Sequence, residues 1–147
     1  MAKKKKNKKT RVAYFCMEYG LDNSFKSYAG GLGILAGDYL KGAKDLNLPM
    51  VGIGLLWKQG YTDQRVDEKG KVYDCFQNYS YDFLEDTGIT VSVDIFKSEV
   101  RCKVWKLDAF GNVPLYLLDT NLPDSPHSWF SGQLYGWFGE ERGAQEM

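Results

Sequence analysis

Apolar positions in the first third of the chain predict a strand, a helix and a second strand. Residues 11–17 are mainly apolar or aromatic and predict a strand. Farther along, apolar side chains recur at helical spacing, at Leu32, Leu35, Tyr39, Leu40, Ala43 and Leu46. Asn47 and Pro49 end that pattern, and residues 50–57 then form a nearly continuous apolar run that is typical of a buried strand. This order predicts a βαβ unit, which belongs to a parallel sheet with helices on its faces.

The second half of the chain has the pattern of strands joined by turns. Residues 89–93 and 100–105 alternate between apolar and polar side chains, as half-exposed strands do. Turn-forming residues fill positions 108–112, and residues 113–119 return as a more apolar strand. We therefore expect segments 100–105 and 113–119 to form a hairpin or to lie close together. Residues 121–128 contain two prolines and predict a loop, in which His127 is expected to be a surface residue rather than a catalyst.

The composition permits a hydrophobic core and argues against a membrane protein. Of the 147 residues, 44% are hydrophobic, yet no apolar run reaches the length of a membrane span. No apolar segment follows the charged start of the chain, as it would in a signal peptide. Cys16, Cys75 and Cys102 are scattered, which suits free thiols in a reducing compartment better than disulfides or a zinc site. We therefore expect a cytoplasmic protein with no membrane partner.

Positive charge is concentrated at the start of the chain. Seven of the 19 basic residues lie between positions 3 and 11, although the formal net charge of the whole chain is +0. A lysine run can bind nucleic acid, but here no aromatic side chain is interleaved to stack on bases. Residues 1–11 are therefore predicted to be a solvated, disordered tail, and nucleic acid is not expected as a partner.

Candidate chemistry is concentrated where glycines run into the predicted helix. Gly30, Gly31 and Gly33 let backbone N–H groups approach an anion, with the positive end of the helix behind them. A tight turn with a helix cap is the structural alternative. The spacing Gly31-x-Gly33-x-x-Ala36 also fits a dinucleotide site, but two features oppose that interpretation. Residues 18–29 separate the glycines from the first strand, and no acidic residue ends the second strand to hold a ribose.

Several separate motifs, in the same order, resemble one enzyme family. They are residues 14–21 (YFCMEYGL), 28–41 (YAGGLGILAGDYLK), 45–56 (DLNLPMVGIGLL), 59–61 (QGY), 113–120 (VPLYLLDT) and 133–136 (QLYG). Together they are similar to the N-terminal part of bacterial α-glucan phosphorylases, which act on glycogen or maltodextrin. The resemblance covers nearly all of the chain after the basic tail.

The resemblance implies a fold and an activity. Phosphorylases of this family are GT-B type glycosyltransferases with two Rossmann-like domains facing each other across a cleft. This chain is therefore expected to be α/β and to form part of the N-terminal Rossmann-like domain, with a β-hairpin-like insertion. The family releases glucose 1-phosphate from α-1,4-glucans with inorganic phosphate and pyridoxal phosphate, whose lysine lies in the C-terminal domain. The family's glycine loop touches the sugar and the phosphate, which assigns substrate or phosphate binding to Gly30, Gly31, Leu32 and Gly33.

Length and the end of the sequence limit what the resemblance implies. The family's enzymes are several times longer than 147 residues, so residues 12–147 are expected to be a partial N-terminal domain, truncated at its C-terminal end. Mismatches to the family's pattern are concentrated near that end, at Trp137, Phe138, Gly139, Glu141 and Gly143. We expect the chain alone to be inactive, with the missing C-terminal domain as a partner in trans, and to fray from about Trp129 onward.

Two other functions stay open. A glycogen or starch synthase also has a G-G-L-G loop, although synthases usually place an acidic residue directly after it, where this chain has Ile34. A non-catalytic carbohydrate-binding or regulatory module would use aromatic rings that stack on sugar faces. The candidate rings are Trp57, Tyr61, Trp105, Trp129 and Trp137, although most aromatic side chains in a chain of this size fill the core.

Overall fold

The structure, a computed structural model, describes residues 10–123 and 125–136. The predictions for residues 1–9 of the basic tail and for the mismatched end, including Trp137 and Phe138, lie outside this part of the chain. The described elements are β1 Val12–Phe15, α1 Gly31–Asp45, β2 Met50–Leu55, β3 Asp63–Val66, β4 Val72–Cys75, β5 Glu85–Ile95, β6 Ser98–Leu107, β7 Leu115–Asp119 and a 3-10 helix Ser128–Ser131.

Five of the strands form one mixed sheet in the order β1-β2-β7-β6-β5. β1, β2 and β7 are parallel neighbours, whereas β6 pairs antiparallel with both β7 and β5. Because α1 lies between the parallel strands β1 and β2 in the chain, the predicted βαβ unit is confirmed. The predicted neighbours 100–105 and 113–119 are confirmed as β6 and β7, which pair from Lys103↔Asp119 to Leu107↔Leu115.

The buried face of α1 matches the predicted one at Leu40 and Ala43 and differs from it elsewhere. The buried residues are Gly33, Ala36, Gly37, Leu40 and Ala43. Four of the predicted contact residues are instead 49% to 72% exposed: Leu32, Leu35, Tyr39 and Leu46. Small residues occupy the contact because α1 approaches the chain that follows β1 very closely: an ideal Cβ on Gly37 would lie 2.3 Å from the backbone oxygen of Gly20. Larger side chains do not fit into such a contact and turn outward.

The two faces of the parallel strands are buried unequally. Every second residue of β2 and β7 packs in the main core on the α1 side, the buried ones being Gly52, Gly54, Leu115 and Leu117. The residues of β2 that alternate with them are only half-buried: Val51, Ile53 and Leu55. In the described chain β1 is an edge strand, and its Phe15 is 71% exposed. The sheet therefore has one covered face and one face that is only partly covered.

Two β-hairpins complete the described fold. β5 and β6 form a long hairpin closed at Phe96 and Lys97, whose φ angles of 49° and 65° suit a tight hairpin turn. This hairpin joins the predicted strand segments 89–93 and 100–105, which the sequence analysis did not pair with each other. β3 and β4 form a separate two-stranded sheet that the sequence analysis did not predict. Both strands are largely exposed and lack an apolar alternation, so the turn before Lys71, with Gly70 at a φ of 77°, is their main sequence signal.

Residues 128–136 are largely packed against the rest of the fold, and the expected fraying from Trp129 stays a prediction that hydrogen exchange tests. Phe130 and Leu134 are 5% and 1% exposed. The backbone N–H of Gln59 donates to Gly132, and the N–H of Leu134 donates back to the oxygen of Gln59. The segment is therefore held against the chain that follows β2, through backbone contacts that no apolar pattern reveals.

Candidate functional site

The carboxyl ends of β1, β2 and β7 lie side by side at one edge of the sheet, because these strands are parallel neighbours. α1 returns from the end of β1, so its start lies at the same edge, with Gly30 as N-cap and Gly31 as first residue. Ligands of open α/β sheets bind outside the carboxyl ends of the strands. The predicted site residues Gly30, Gly31, Leu32 and Gly33 thus open the helix at the edge where a ligand is expected.

The glycines of this stretch are of two kinds. An ideal Cβ on Gly30 or Gly31 would meet no atom within 4 Å, so their missing side chains leave open space. An ideal Cβ on Gly33 would lie 2.3 Å from the Cβ of Tyr28 and 2.9 Å from Oε2 of Glu18. None of these three glycines has a left-handed φ, so backbone conformation does not require them. Internal packing therefore requires Gly33, whereas the other two leave room for the close approach of a ligand.

A buried glutamate that the sequence analysis missed organises this helix start. Glu18 is 2% exposed, and its Oε2 accepts hydrogen bonds from the N–H groups of Ala29, Gly30 and Gly33 at 3.0, 3.3 and 3.2 Å. Its Oε1 accepts a hydrogen bond from the hydroxyl of Tyr135. In the sequence, the available signal is a lone carboxylate inside an apolar run. Such a residue indicates buried hydrogen-bond partners, because glutamate is almost never fully buried without them.

Two backbone N–H groups at the start of α1 are available as hydrogen-bond donors to a ligand. Gly31 and Leu32 are the first two residues of α1, so their N–H groups have no partner within the helix. Among the described residues, neither N–H donates a hydrogen bond to a backbone or side-chain acceptor. The site therefore presents two adjacent backbone donors beside the open space at Gly30.

The charge of Glu18 restricts the class of ligand that the start of α1 can bind. A helix N-terminus carries the equivalent of about +0.5 elementary charge, whereas the Glu18 carboxylate adds a full negative charge beside it. In the part of the chain that the structure describes, no lysine or arginine forms an ion pair with Glu18. The helix start by itself therefore suits a neutral or partly charged oxygen, such as a sugar hydroxyl. A dianionic phosphate would need positive charge from elsewhere.

Two aromatic side chains fix the segment that carries Glu18. Tyr19 is fully buried, and its hydroxyl lies within donating distance of the backbone oxygens of Tyr14 on β1 and Ile53 on β2, at 2.8 and 2.9 Å. Burial raises the pKa of Tyr19 well above its usual value, so the hydroxyl stays a donor at neutral pH. Trp57 is 1% exposed and donates its indole N–H to the backbone oxygen of Met17 at 2.8 Å. Glu18 lies between Met17 and Tyr19 and is therefore held from both sides.

The predicted sugar-stacking rings have different environments. Trp57 belongs to the core, and Tyr61 is 53% exposed. Trp105 is half-buried and lines a cleft at the carboxyl ends of β2 and β7. Trp129 packs on Phe130, with their ring centroids 4.0 Å apart. Trp57 and Trp105 both line this cleft at the edge where a ligand is expected, and Trp105 is the less buried of the two.

Other reactive groups are dispersed. No set of three or more histidine, cysteine, aspartate or glutamate residues among the described positions is arranged to hold a metal ion. Cys16, Cys75 and Cys102 are free thiols, and burial raises the pKa of Cys102. His127 is half-buried, and its ring lies 5.5 Å from that of Phe130. Within the described ranges, no helix has the length and apolar character that crossing a membrane requires.

Known relatives match most of the chain but only a small part of their own length. An uncharacterised protein of Methanocaldococcus jannaschii is 46% identical over 116 residues, covering 78% of this chain and 22% of that protein. The maltodextrin phosphorylase of Thermococcus litoralis is 40% identical over 122 residues, covering 78% and 15%. The glycogen phosphorylase of Mycobacterium tuberculosis is 35% identical over 154 residues, covering 94% and 17%. No family model matches the sequence.

A solved structure shares the fold. It is the catalytic domain of starch synthase IV from Arabidopsis thaliana, bound to ADP and acarbose, with a TM-score of 0.57 over 88% of this chain and 22% of that chain. The two sequences are 18% identical, so the likeness speaks for the fold alone. It confirms the predicted α/β fold. The named sequence relatives confirm the resemblance to glycogen and maltodextrin phosphorylases.

Proposed function

We propose that this chain is part of the N-terminal domain of an α-glucan phosphorylase, and that the start of α1 contributes to its substrate site. Two named relatives are maltodextrin and glycogen phosphorylases, and the fold resembles part of the catalytic domain of a starch synthase. One observation carries the proposal for the site. The N–H donors of Gly31 and Leu32 are available beside glycines whose missing side chains leave open space.

The proposed reaction is phosphorolysis of an α-1,4-glucan. The bond between C1 of the terminal glucose and the glycosidic oxygen breaks, and C1 forms a bond to an oxygen of inorganic phosphate. The products are glucose 1-phosphate and a glucan shorter by one residue, whose glycosidic oxygen takes up the proton released by phosphate.

The role of this chain in that reaction is to bind and orient. The N–H groups of Gly31 and Leu32 would donate to oxygens of the terminal sugar or of phosphate. Donors that are fixed in place stabilise developing charge without having to reorganise during the reaction. Because the Glu18 carboxylate lies beside them, the phosphate charge would be balanced by basic residues of the complete enzyme.

Pyridoxal phosphate, which the resemblance implies, finds no fitting site among the described residues. The cofactor is held by a lysine through a Schiff base. Every described lysine is exposed or half-buried, and the more buried ones are already engaged: Lys41 with the backbone oxygen of Leu21, and Lys103 and Lys106 in ion pairs. The cofactor would therefore be bound by another part of the complete enzyme.

A chimera tests the proposed function. Residues 10–136 replace the homologous segment of the Thermococcus litoralis maltodextrin phosphorylase, and release of glucose 1-phosphate from maltodextrin and phosphate is measured. We expect the chimera to be active and the 147-residue chain alone to be inactive, even with pyridoxal phosphate added. In the chimera, Gly31→Val should lower kcat by about 100- to 1,000-fold, because the branched side chain keeps the substrate away from the N–H donors, and the loss of one preorganised donor usually costs this much.

Gly42→Val is the matched control, because an ideal Cβ on Gly42 of the same helix also meets no atom within 4 Å. If Gly31→Val and Gly42→Val have the same kcat, the helix start has no role at the substrate. Release of glucose 1-phosphate by the isolated chain, above a control without protein, would refute its expected inactivity.

A further inference from the structure

We infer that the cleft at the carboxyl ends of β2 and β7 binds one sugar residue of an α-glucan, as a subsite separate from the start of α1. The inference rests on the proposed function, which names the glucan as substrate. The cleft lies between the residues that follow β2, the residues that follow β7 and the segment 79–84. The residues that carry the argument are Lys58, Tyr79, Tyr81, Trp105, Asp119 and Asn121.

Supported aromatic rings form one wall of the cleft. The ring of Tyr79 stacks on that of Tyr81, at an interplanar angle of 9° and a centroid distance of 6.2 Å. Tyr81 packs in turn on Phe25 and Phe83, each at 5.2 Å. Its hydroxyl accepts a hydrogen bond from the N–H of Lys26, and burial raises the pKa of Tyr81 to about 12. Because these rings are already fixed, a sugar that stacks on Tyr79 would cost little side-chain entropy.

Polar side chains that match sugar hydroxyls surround the same cavity. The Oδ2 of Asp119 accepts a hydrogen bond from the indole N–H of Trp105 at 3.2 Å, which fixes both side chains. The Oδ1 of Asp119 accepts another from the backbone N–H of Asn121 at 2.8 Å. Lys58 and Asn121 are exposed at the cleft. A carboxylate, an amide and an ammonium group together offer both acceptors and donors, as neighbouring sugar hydroxyls require.

The size and charge of the cleft favour a neutral sugar. Its volume is about 210 Å³, below the range of about 300–1,000 Å³ that is usual for drug-sized ligands. One sugar ring therefore suits it better than a nucleotide does. The negative charge of Asp119 also opposes a phosphate, because Lys58 is the one basic residue among the described positions that lines the cleft.

The position of the cleft fits a glucan that continues from the helix start. Trp57, which also lines the cleft, donates to the backbone oxygen of Met17, the residue before Glu18. The cleft and the Glu18 site are therefore neighbours at the same edge of the sheet. A glucan with its terminal residue at Gly31 would extend toward Tyr79.

The inference is tested by measuring the binding of maltotriose to the purified 147-residue chain. Calorimetry and tryptophan fluorescence give the affinity. Tyr79→Ala should weaken maltotriose binding about two- to tenfold, the usual effect of one aromatic contact. The control is Tyr73→Ala, which removes a 47% exposed ring of β4 outside the cleft and should leave the affinity unchanged. Lys58→Ala changes an exposed cleft residue, should also weaken binding, and keeps the test decisive if Tyr79→Ala does not fold.

Three results would overturn the inference: no maltotriose binding by the wild-type chain, equal affinity in the wild-type chain and both cleft variants, or tighter binding of ADP than of maltotriose. The subsite and the proposed function are separated by their readouts: the subsite predicts the maltotriose affinity of the cleft variants, and the proposed function predicts the activity of the chimera. A chimera that depends on Gly31, together with unchanged affinity in both cleft variants, would remove the subsite alone. Maltotriose binding at the cleft without activity of the chimera would instead remove the proposed function.

Discussion

One glycine-rich stretch combines two regions that serve different purposes. An ideal Cβ on Gly30 or Gly31 meets no atom within 4 Å. On Gly33 or Gly37 it would lie 2.3 Å from another atom, in the second case the backbone oxygen of Gly20. The first pair leaves space at the start of α1, and the second pair lets the helix pack tightly against the chain that follows β1. The spacing of glycines in a sequence does not distinguish a packing requirement from an available surface.

Gly37→Ala should give the largest change in stability. The added Cβ would meet the backbone of Gly20 rather than the end of a flexible side chain, so the helix itself must shift. Overpacking of this kind costs about 1–3 kcal/mol in the free energy of unfolding, which urea titration of the chain measures. Gly42→Ala, in open space on the same helix, should instead stabilise by about 0.5–1 kcal/mol. If both substitutions change stability in the same direction, the division between packed and open glycines is wrong.

Glu18→Gln should give the next largest change. The amide keeps the shape of the side chain but accepts the hydrogen bonds of Ala29, Gly30 and Gly33 without a negative charge. Hydrogen bonds to charged groups contribute about 1 kcal/mol more than neutral ones, so urea titration should show a loss of about that size. A loss confined to Tyr135→Phe, with Glu18→Gln as stable as the wild type, would contradict the role given to the carboxylate.

Gly31→Ala should change the free energy of unfolding by less than about 0.5 kcal/mol, because nothing in the described chain lies against the new methyl group. Gly33→Ala is its matched partner and should destabilise clearly, since its Cβ would lie 2.3 Å from that of Tyr28. Thermal and urea unfolding of the two variants compare the open and packed glycines directly. Equal losses would show that the open space at Gly31 is not available in solution.

The β5–β6 hairpin should give the smallest effect, and it should depend on pH. Lys103 Nζ lies 2.7 Å from Asp86 Oδ2, and this bond, together with the N–H of Gly88, lowers the pKa of Asp86. A carboxylate whose pKa is lower in the folded chain stabilises it above the unfolded pKa of about 3.9, and this contribution is lost as pH falls through the folded value. Asp86→Asn should therefore be slightly less stable than wild type at pH 7 and equal to it at about pH 2. A difference that is the same at both pH values would refute this origin.

The order of the sheet elements could be predicted because each element satisfies a local rule. β2 is a continuous apolar run, β6 alternates, and Asn47 and Pro49 mark the end of α1. The covered side of α1 could not be predicted in the same way. Apolar periodicity favours large side chains such as Leu32 and Leu35, whereas the close approach to Gly20 selects small ones.

The candidate site was predictable only in part. The glycines pointed to the start of α1, but the role of Glu18 depends on Tyr135, which lies 117 positions away in the chain. The cleft likewise brings Tyr79, Trp105 and Asp119 together from separate segments. Contacts of this kind follow from the register of β2, β7 and β6, which no local pattern specifies.

The handedness of crossovers between parallel strands links the partly covered face of the sheet to the edge strand β1. Crossovers between parallel strands are right-handed in about 98% of cases. α1 covers one face of the sheet in passing from β1 to β2. A strand that follows later in a chain and adds outside β1 moves in the opposite direction, so its connection must cross the other face, over Val51, Ile53 and Leu55. One helix–strand unit would therefore extend the sheet and shield these three side chains in a single step.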